Sequence, residues 1–390
     1  MKSYFADLHI HIGRTNSGKP VKITGAKNLT IENIFHEAST NKGMDIIGVI
    51  DCHVPEVHHK LEKDLLTGKY REHPDGGIRY KKTTLFLGSE LEIFDEDCQG
   101  PIHVLAFMSH LEKMRKFSEW LRPFVKNIHL SSQRIYVRAR ALQEKIKELN
   151  GLFIPAHIFT PHKSLYGKGV NKSLTEVFNP KLIDALELGL SSDTEMASQL
   201  KELENYPFLT NSDAHSLSKI GREYQRLYLK EPTFNEFQLA LMKKNGRHII
   251  ANFGLNPKLG KYYETYCESC GKQVGFTTKD GCCPICGTKK VIKGVKDRLL
   301  ELADRNHPIQ NRPPYVHQIP LEMIPGIGKQ TLAKLKKHFG TEMNILHNVP
   351  FETLCKVVPE KIAYFIMASR EGKLQVKAGG GGVYGRVTDN

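Results

Sequence analysis

The chain has 390 residues, more than one average domain needs, so two or three domains are expected. Hydrophobic residues at 40% and charged residues at 25% exclude a mostly disordered or fibrous chain. With 56 Lys and Arg against 42 Asp and Glu the net charge is +14, which favours a polyanionic partner such as nucleic acid, and no apolar run approaches the ~20 residues needed to span a bilayer.

The start, Met1-Lys2-Ser3-Tyr4-Phe5-Ala6-Asp7, reaches an acid and two histidines too early for a signal peptide, so a cytoplasmic protein with no membrane partner is expected. Residues 1–253 alternate short apolar runs with longer amphipathic stretches. The runs fall at Tyr4–Ile10, Asp45–Ile50, Leu85–Leu91, Ile102–Met108, Leu152–His157, Ala185–Leu190 and Phe208–Asn211, with a further one at His248–Phe253. The clearest helical pattern is Ser132–Leu149, followed by Gly151, where a left-handed cap needs no Cβ. Such alternation predicts one parallel α/β barrel.

Nearly every one of these runs ends in a metal-ligand side chain. The first gives Asp7, His9 and His11, the second Asp51 and His53, and the third Glu90 and Glu92. His103, His157, Glu187 and then Asp213 with His215 follow. In an α/β barrel all strand ends open onto one face, so these residues would converge there. The imidazoles of His9 and His11 share a strand face because side chains alternate. Imidazole with carboxylate suits Zn, Mn or Fe, and a shared carboxylate can bridge two ions.

Residues 254–300 turn to short, turn-rich segments, and five of the chain's eight cysteines crowd into residues 267–286. Cys267, Cys270, Cys283 and Cys286 form two Cys-x-x-Cys pairs, the pattern of a structural zinc ribbon, with Cys282 as a less well spaced alternative to Cys283. A proline-rich linker is expected at residues 301–320. Residues 321–376 read as helical and open with Ile324-Pro325-Gly326-Ile327-Gly328-Lys329, a helix–hairpin–helix pattern. Gly326 and Gly328 would let backbone N–H groups approach a phosphate, with Lys329, Lys334, Lys336 and Lys337 adding charge. A degenerate second hairpin is read around Val357–Lys361. Residues 377–390 form a glycine-rich tail in which Lys377, Tyr384 and Arg386 flank Gly379–Gly382. The basic excess sits in this C-terminal third: residues 251–390 carry 21 basic and 12 acidic side chains, whereas 14 of the 18 histidines fall earlier.

Asp7-Leu8-His9-Ile10-His11, Gly88-Ser89-Glu90, His103, His157 and Ser212-Asp213-Ala214-His215 together resemble the polymerase-and-histidinol-phosphatase superfamily. The resemblance implies a distorted seven-stranded α/β barrel holding two or three divalent ions (Zn²⁺, Mg²⁺ or Mn²⁺) that hydrolyses phosphoesters. Carried onto this sequence, it implies one ion on His9, His11, Glu90 and Asp213, with Glu90 bridging to a second on His103 and His157. A third is implied at His53 and His215. The superfamily usually has another His shortly after the first motif, where this chain reads Ile12–Asn16. Cys52 interrupts the second motif and leaves Asp51 and His53 as alternative ligands. Asp213, Glu90 and His215 are the expected catalytic residues, His215 as acid to the leaving group if it binds no ion.

The order of barrel, ribbon and basic helical domain resembles the endonuclease Q family along the full chain. That family cleaves DNA on the 5′ side of deaminated bases (uracil, hypoxanthine, xanthine) and abasic sites, leaving 3′-hydroxyl and 5′-phosphate. The loop Thr160–Gly169 beside His157, with Lys163 and Tyr166, is expected to line the lesion pocket and touch DNA. The other readings are a phosphatase or exonuclease on small or terminal phosphates, and a non-catalytic DNA-binding scaffold. No motif in the sequence identifies a sliding-clamp contact.

Overall fold

The computed structural model describes residues 1–275, 278, 280–305, 309, 311–377 and 385–387. The apolar runs become strands: β1 (Lys2–Ile10), β2 (Ile46–Val49), β3 (Thr83–Ile93), β4 (Ile102–Met108) and β5 (Leu152–Pro155). Then come β6 (Leu186–Leu188), β7 (Phe208–Thr210), β8 (Tyr224–Leu229), β9 (His248–Gly254) and β10 (Tyr315–His317). The sheet order is β10-β9-β8-β1-β2-β3, continued by β4 and then β5.

The expected all-parallel arrangement does not hold. β1, β2 and β3 pair in parallel, but β3 with β4, β4 with β5, β1 with β8 and β8 with β9 are antiparallel. Residues 94–101 are too few for the crossover that a parallel neighbour of β3 would need. β8 is a strand the sequence reading passed over, because Gln225 and Arg226 interrupt its apolar run. The long helix expected from Ser132 begins only at Ala139. Ser132 itself has φ +51°, and Arg134-Ile135 pair with Glu92-Ile93 instead.

β6 and β7 form a separate parallel pair, and side chains rather than a ladder join it to β1 and β8. The Thr210 amide donates to Gln225 Oε1 (3.0 Å), and Gln225 Nε2 donates to the Ala6 carbonyl (2.7 Å). Asn211 Oδ1 accepts from the Leu8 amide (2.8 Å). On the other flank the Ile158 amide reaches the Glu187 carbonyl (3.0 Å). All of these groups except Ile158 and Glu187 lie on β1, β7 or β8 or next to them, so buried amides close the strand ring where strand pairing stops.

Inside the ring, alternate side chains of one strand face build a dry layer and then the site. Phe86 and Glu90 share a face of β3, as do Leu105 and His103 on β4. At one end the helix Phe234–Leu241 plugs the interior, with Phe234 and Phe237 ring centroids 5.3 and 5.6 Å from Phe86. The opposite end opens on the polar residues.

In the cysteine-rich segment Tyr266-Cys267 pair with Val291-Ile292, and a helix, Val295–Leu302, follows. Its Arg298 donates to the carbonyls of Tyr166 (2.8 Å), Val170 (3.0 Å) and Asn171 (2.7 Å), fixing the loop after His157. The expected linker is partly strand: β10 lies inside it and pairs with β9. Asn306–Pro308 and Gln310 of that linker lie outside the described residues.

The C-terminal helices are Lys329–Phe339, Glu342–His347, Phe351–Cys355 and Glu360–Arg370. They dock on the ring through a buried Lys42–Glu342 ion pair (3.0 Å) and through His347, which stacks on Phe5 and bonds the Tyr224 hydroxyl (2.6 Å). Of the tail, Val376-Lys377 pair with Arg386-Val387, whereas Gly379–Gly382 and Tyr384 lie outside the described residues. No helix among the described residues is long and apolar enough to cross a membrane.

Candidate metal centre

The end of β1 pairs with the segment that carries Asp213. The Ala214 amide donates to the His9 carbonyl and the His11 amide to the Ala214 carbonyl, both at 3.0 Å. This exchange sets Asp213 and His215 against His9 and His11. Asp213 has φ +46° and His157 has φ +31°, left-handed conformations uncommon for residues with a Cβ. Both strained residues are in the site, where the surrounding fold holds such geometry in place.

Three donor groups result: His9, His11 and Glu90; Glu90, His103 and His157; and His11, Asp213 and His215. Within each group the ligand atoms lie within 4.8 Å of one another. Glu90 Oε1 is 2.9 Å from His103 Nδ1, 3.4 Å from His157 Nε2 and 3.5 Å from His9 Nε2. Asp213 Oδ1 is 3.4 Å from His9 Nε2 and 3.5 Å from His11 Nε2. Three of these atoms, His9 Nε2, His11 Nε2 and Asp213 Oδ1, are buried without a hydrogen-bond partner among the described residues. Unpaired buried polar atoms are costly, so three converging on one point beside the Glu90 carboxylate fit a divalent cation.

Carboxylates behind the histidines fix their tautomers. His9 Nδ1 donates to Glu187 (2.9 Å), which also accepts from the His157 amide (2.9 Å) and Asn211 Nδ2 (2.7 Å). His11 Nδ1 donates to Asp51 (3.1 Å), which also accepts from the Ile12 amide (2.7 Å). Each imidazole therefore turns Nε2 toward the centre. Burial opposes charge on Glu90, yet His103 and Lys22 beside it hold its carboxyl well below the ordinary range. Burial likewise opposes ionisation of Asp213, and His9 and His11 outweigh it.

Three expected site residues are placed differently. Asp51 orients His11 and does not face the centre. His53 points away, with Nδ1 on Ser89 Oγ (2.8 Å) and Nε2 on the Leu130 carbonyl (3.2 Å), so the third donor group contains His11 where His53 was expected. Tyr166 is fully buried, stacked on Phe159 and donating to Glu202 (2.8 Å), and so cannot reach DNA. Lys163 does stand at the opening, with φ +53° and Nζ 2.8 Å from Glu92.

The sequence reading missed Lys22, whose Nζ lies 3.3 Å from Glu90 and 2.6 Å from Ser132 Oγ, and Ser131, 3.1 Å from His11. Both come from irregular loops that carry no periodic signal. A cavity of about 460 Å³ opens over the centre, bordered by Lys22, Thr24, Lys163, Gly189, Ser191 and Tyr262.

The four ribbon thiols converge too. Cys267 and Cys286 Sγ are 3.6 Å apart and Cys270 and Cys283 Sγ 3.9 Å, near the ~3.8 Å edge of a tetrahedron with 2.3 Å Zn–S bonds. Gly271 (φ +67°) and Gly287 (φ +71°) close the two knuckles, and Cys282 Sγ turns instead to the Asp280 carbonyl.

No protein-family model matches the chain. YqxK, an uncharacterised protein of Bacillus subtilis, is 60% identical over 387 residues, which is 99% of this chain and all of the relative. A solved structure described as the lesion-specific endonuclease PfuEndoQ from Pyrococcus furiosus superposes with a TM-score of 0.84 at 34% identity, covering 99% of this chain and 95% of that one. The chain belongs to the endonuclease Q family. A second endonuclease Q structure, in complex with a 27-mer duplex carrying an abasic lesion at the active site, gives a TM-score of 0.83 at 33% identity over 99% of this chain and 96% of that one. MJ0043, an uncharacterised protein of Methanocaldococcus jannaschii, is 41% identical over 251 residues, 59% of this chain but only 31% of the relative. The endonuclease Q likeness thus extends through the ring, the cysteine-rich segment and the C-terminal helices alike.

Proposed function

We propose that this chain is a metal-dependent DNA repair endonuclease that cuts the phosphodiester 5′ of a lesion, an abasic site or a deaminated base, leaving 3′-hydroxyl and 5′-phosphate. The observation that carries this reading is the set of orphaned buried donors under an open cavity, in a chain that matches endonuclease Q over its whole length. His9, His11, Glu90, His103, His157, Asp213 and His215 would hold two or three divalent ions. Bound there, such ions lower the pKa of a shared water and neutralise phosphate oxygens.

The protein's own groups supply the rest. Glu187 and Asp51 keep the imidazoles in the ligating tautomer. Lys22 and Lys163 flank the opening and attract the phosphate. His215 shares a donor group with His11 and Asp213, which favours a ligand role over that of leaving-group acid.

The domain limits follow the same reading: a catalytic barrel of the superfamily type at 1–253, a zinc ribbon at 254–300, a connector at 301–320 and a helix–hairpin–helix unit at 321–376. In the last, Gly326 (φ +82°), Gly328 and Lys329 are exposed at the start of a helix, fit to meet a backbone phosphate without reading sequence. Of the lysines beyond, Lys334 donates to the Val357 carbonyl (2.6 Å) and Lys336 pairs with Glu342 (3.7 Å), so Lys329 and Lys337 remain to carry the contact.

The test is an end-labelled duplex with one abasic site or uracil, in Mg²⁺, Mn²⁺ or Zn²⁺, beside Asp213→Ala. A single cut 5′ of the lesion that the variant loses is expected. A ladder of products, or hydrolysis of nucleotide monophosphates without a cut, would favour an exonuclease or phosphatase. Binding without any cleavage would leave a scaffold.

A further inference from the structure

Reaching the metal centre requires a lesioned nucleotide to leave the helix, and the gap it leaves must be filled or its neighbours collapse and expel the enzyme. One exposed side chain beside the cavity is shaped for this. Lys22–Gly25 form a tight turn, with the Gly25 amide on the Lys22 carbonyl (2.9 Å). Lys22 is anchored by its amide on the Ile12 carbonyl (2.8 Å) and by its side chain on Glu90 and Ser132, while the Ala26 amide donates to the His215 carbonyl (2.8 Å). Both ends of the turn are therefore tied to residues of the metal centre or adjoining it.

The turn is also packed without slack. A Cβ on Gly13 would lie 2.0 Å from the Ala26 carbonyl oxygen, and one on Gly25 would lie 2.9 Å from Gly13 Cα. Buried Val21 precedes it. At its tip Thr24 borders the cavity while Ile23 is 78% exposed. A stiff, β-branched apolar side chain held in water on a rigid turn gains nothing for the fold, and apolar side chains of this kind are what enter base stacks.

We infer that Ile23 is the wedge that enters the duplex when the lesioned nucleotide turns into the cavity. This rests on the endonuclease reading above. It makes Ile23 a positioning residue: it fills the vacated stack and touches neither metal nor scissile phosphate. Its effect should therefore depend on whether there is a stack to hold open.

The experiment compares the wild-type holoenzyme with Ile23→Ala and Ile23→Phe on one uracil-containing sequence, as duplex and as single strand. A 2-aminopurine placed next to the lesion reports unstacking in an Asp213→Ala background. Ile23→Ala should lower kcat/KM about tenfold on the duplex and less than twofold on the single strand, and should abolish the 2-aminopurine rise. Ile23→Phe should restore both. Because Ile23 is exposed, folding is not at issue, and an unchanged melting temperature checks this. Equal rates for wild type and Ile23→Ala on duplex, or an equal loss on both substrates, would overturn the wedge while leaving the endonuclease intact. A wild type that cuts neither substrate would overturn the endonuclease reading, and the wedge with it.

Discussion

Glu187→Gln changes one oxygen into an NH₂ group and nothing in shape, and three fixed donors face that oxygen pair. The carboxylate accepts from His9 Nδ1, Asn211 Nδ2 and the His157 amide. Asn211 cannot turn over to help, since its Oδ1 holds the Leu8 amide and Gln225 Nε2 (3.2 Å). If the new NH₂ faces His157, a backbone amide of a strained residue loses its acceptor. If it faces His9, the imidazole must move its proton to Nε2 to accept at Nδ1, and the nitrogen aimed at the centre no longer has a lone pair. Losing one buried hydrogen bond to a charged acceptor costs about 1.5–3 kcal/mol. Removal of such a buttress typically weakens metal binding about 10–100-fold. The assay is metal content after dialysis against a graded chelator, read beside the melting temperature. Glu187→Gln should release barrel metal at lower chelator while metal held by the four cysteines stays. A variant that retained its barrel metal like wild type would refute the claim that Glu187 sets the His9 tautomer.

Other outcomes separate ligands from neighbours. His53→Asn should leave the barrel metal stoichiometry unchanged and lower stability by about 1–3 kcal/mol through its lost bonds to Ser89 and Leu130, whereas His11→Ala should lower the stoichiometry; metal analysis decides. Cys283→Ser should free the metal held by the four thiols to a chromogenic chelator, while Cys282→Ser should not. Glu223 is fully buried, and burial pushes its carboxyl from 4.5 to about 8, so the unfolded chain ionises it before the fold does and stability is lost as pH rises through that window. Glu223→Gln should therefore stabilise the protein by several kcal/mol at pH 9, on the order of 5 at most, and have little effect near pH 4; denaturant melts at both values test the sign.

Much of the centre was legible because chemistry and periodicity coincide at strand ends. His9, His11, Glu90, His157 and Asp213 sit at or just past the end of an apolar run and His103 at the start of one whose strand runs antiparallel, and the structure brings all six together. His53 failed because position at a strand end does not fix side-chain direction. Its ring is captured by Ser89 and a carbonyl, and Asp51 took a supporting place. Tyr166 failed for a related reason: an aromatic in a polar loop looks exposed until Phe159 and Glu202 are found around it. Lys22 and Ile23 were illegible because their turn is defined by two glycines meeting across space. The antiparallel step from β3 to β4 followed from the length of their connection, residues 94–101, which the apolar runs alone did not weigh.

β10 gives the chain an order of assembly. Its three residues, Tyr315–His317, lie against β9 and cover an edge that β8 leaves open on that side. On a ribosome, β9 emerges more than sixty residues before its cover does, so the nascent ring waits with a row of unpaired amides until the cysteine-rich segment has followed. Bare edges of this kind recruit other strands. A fragment ended at residue 253 would keep that edge for good and should self-associate, which makes the later segments part of what keeps the ring from pairing through that edge.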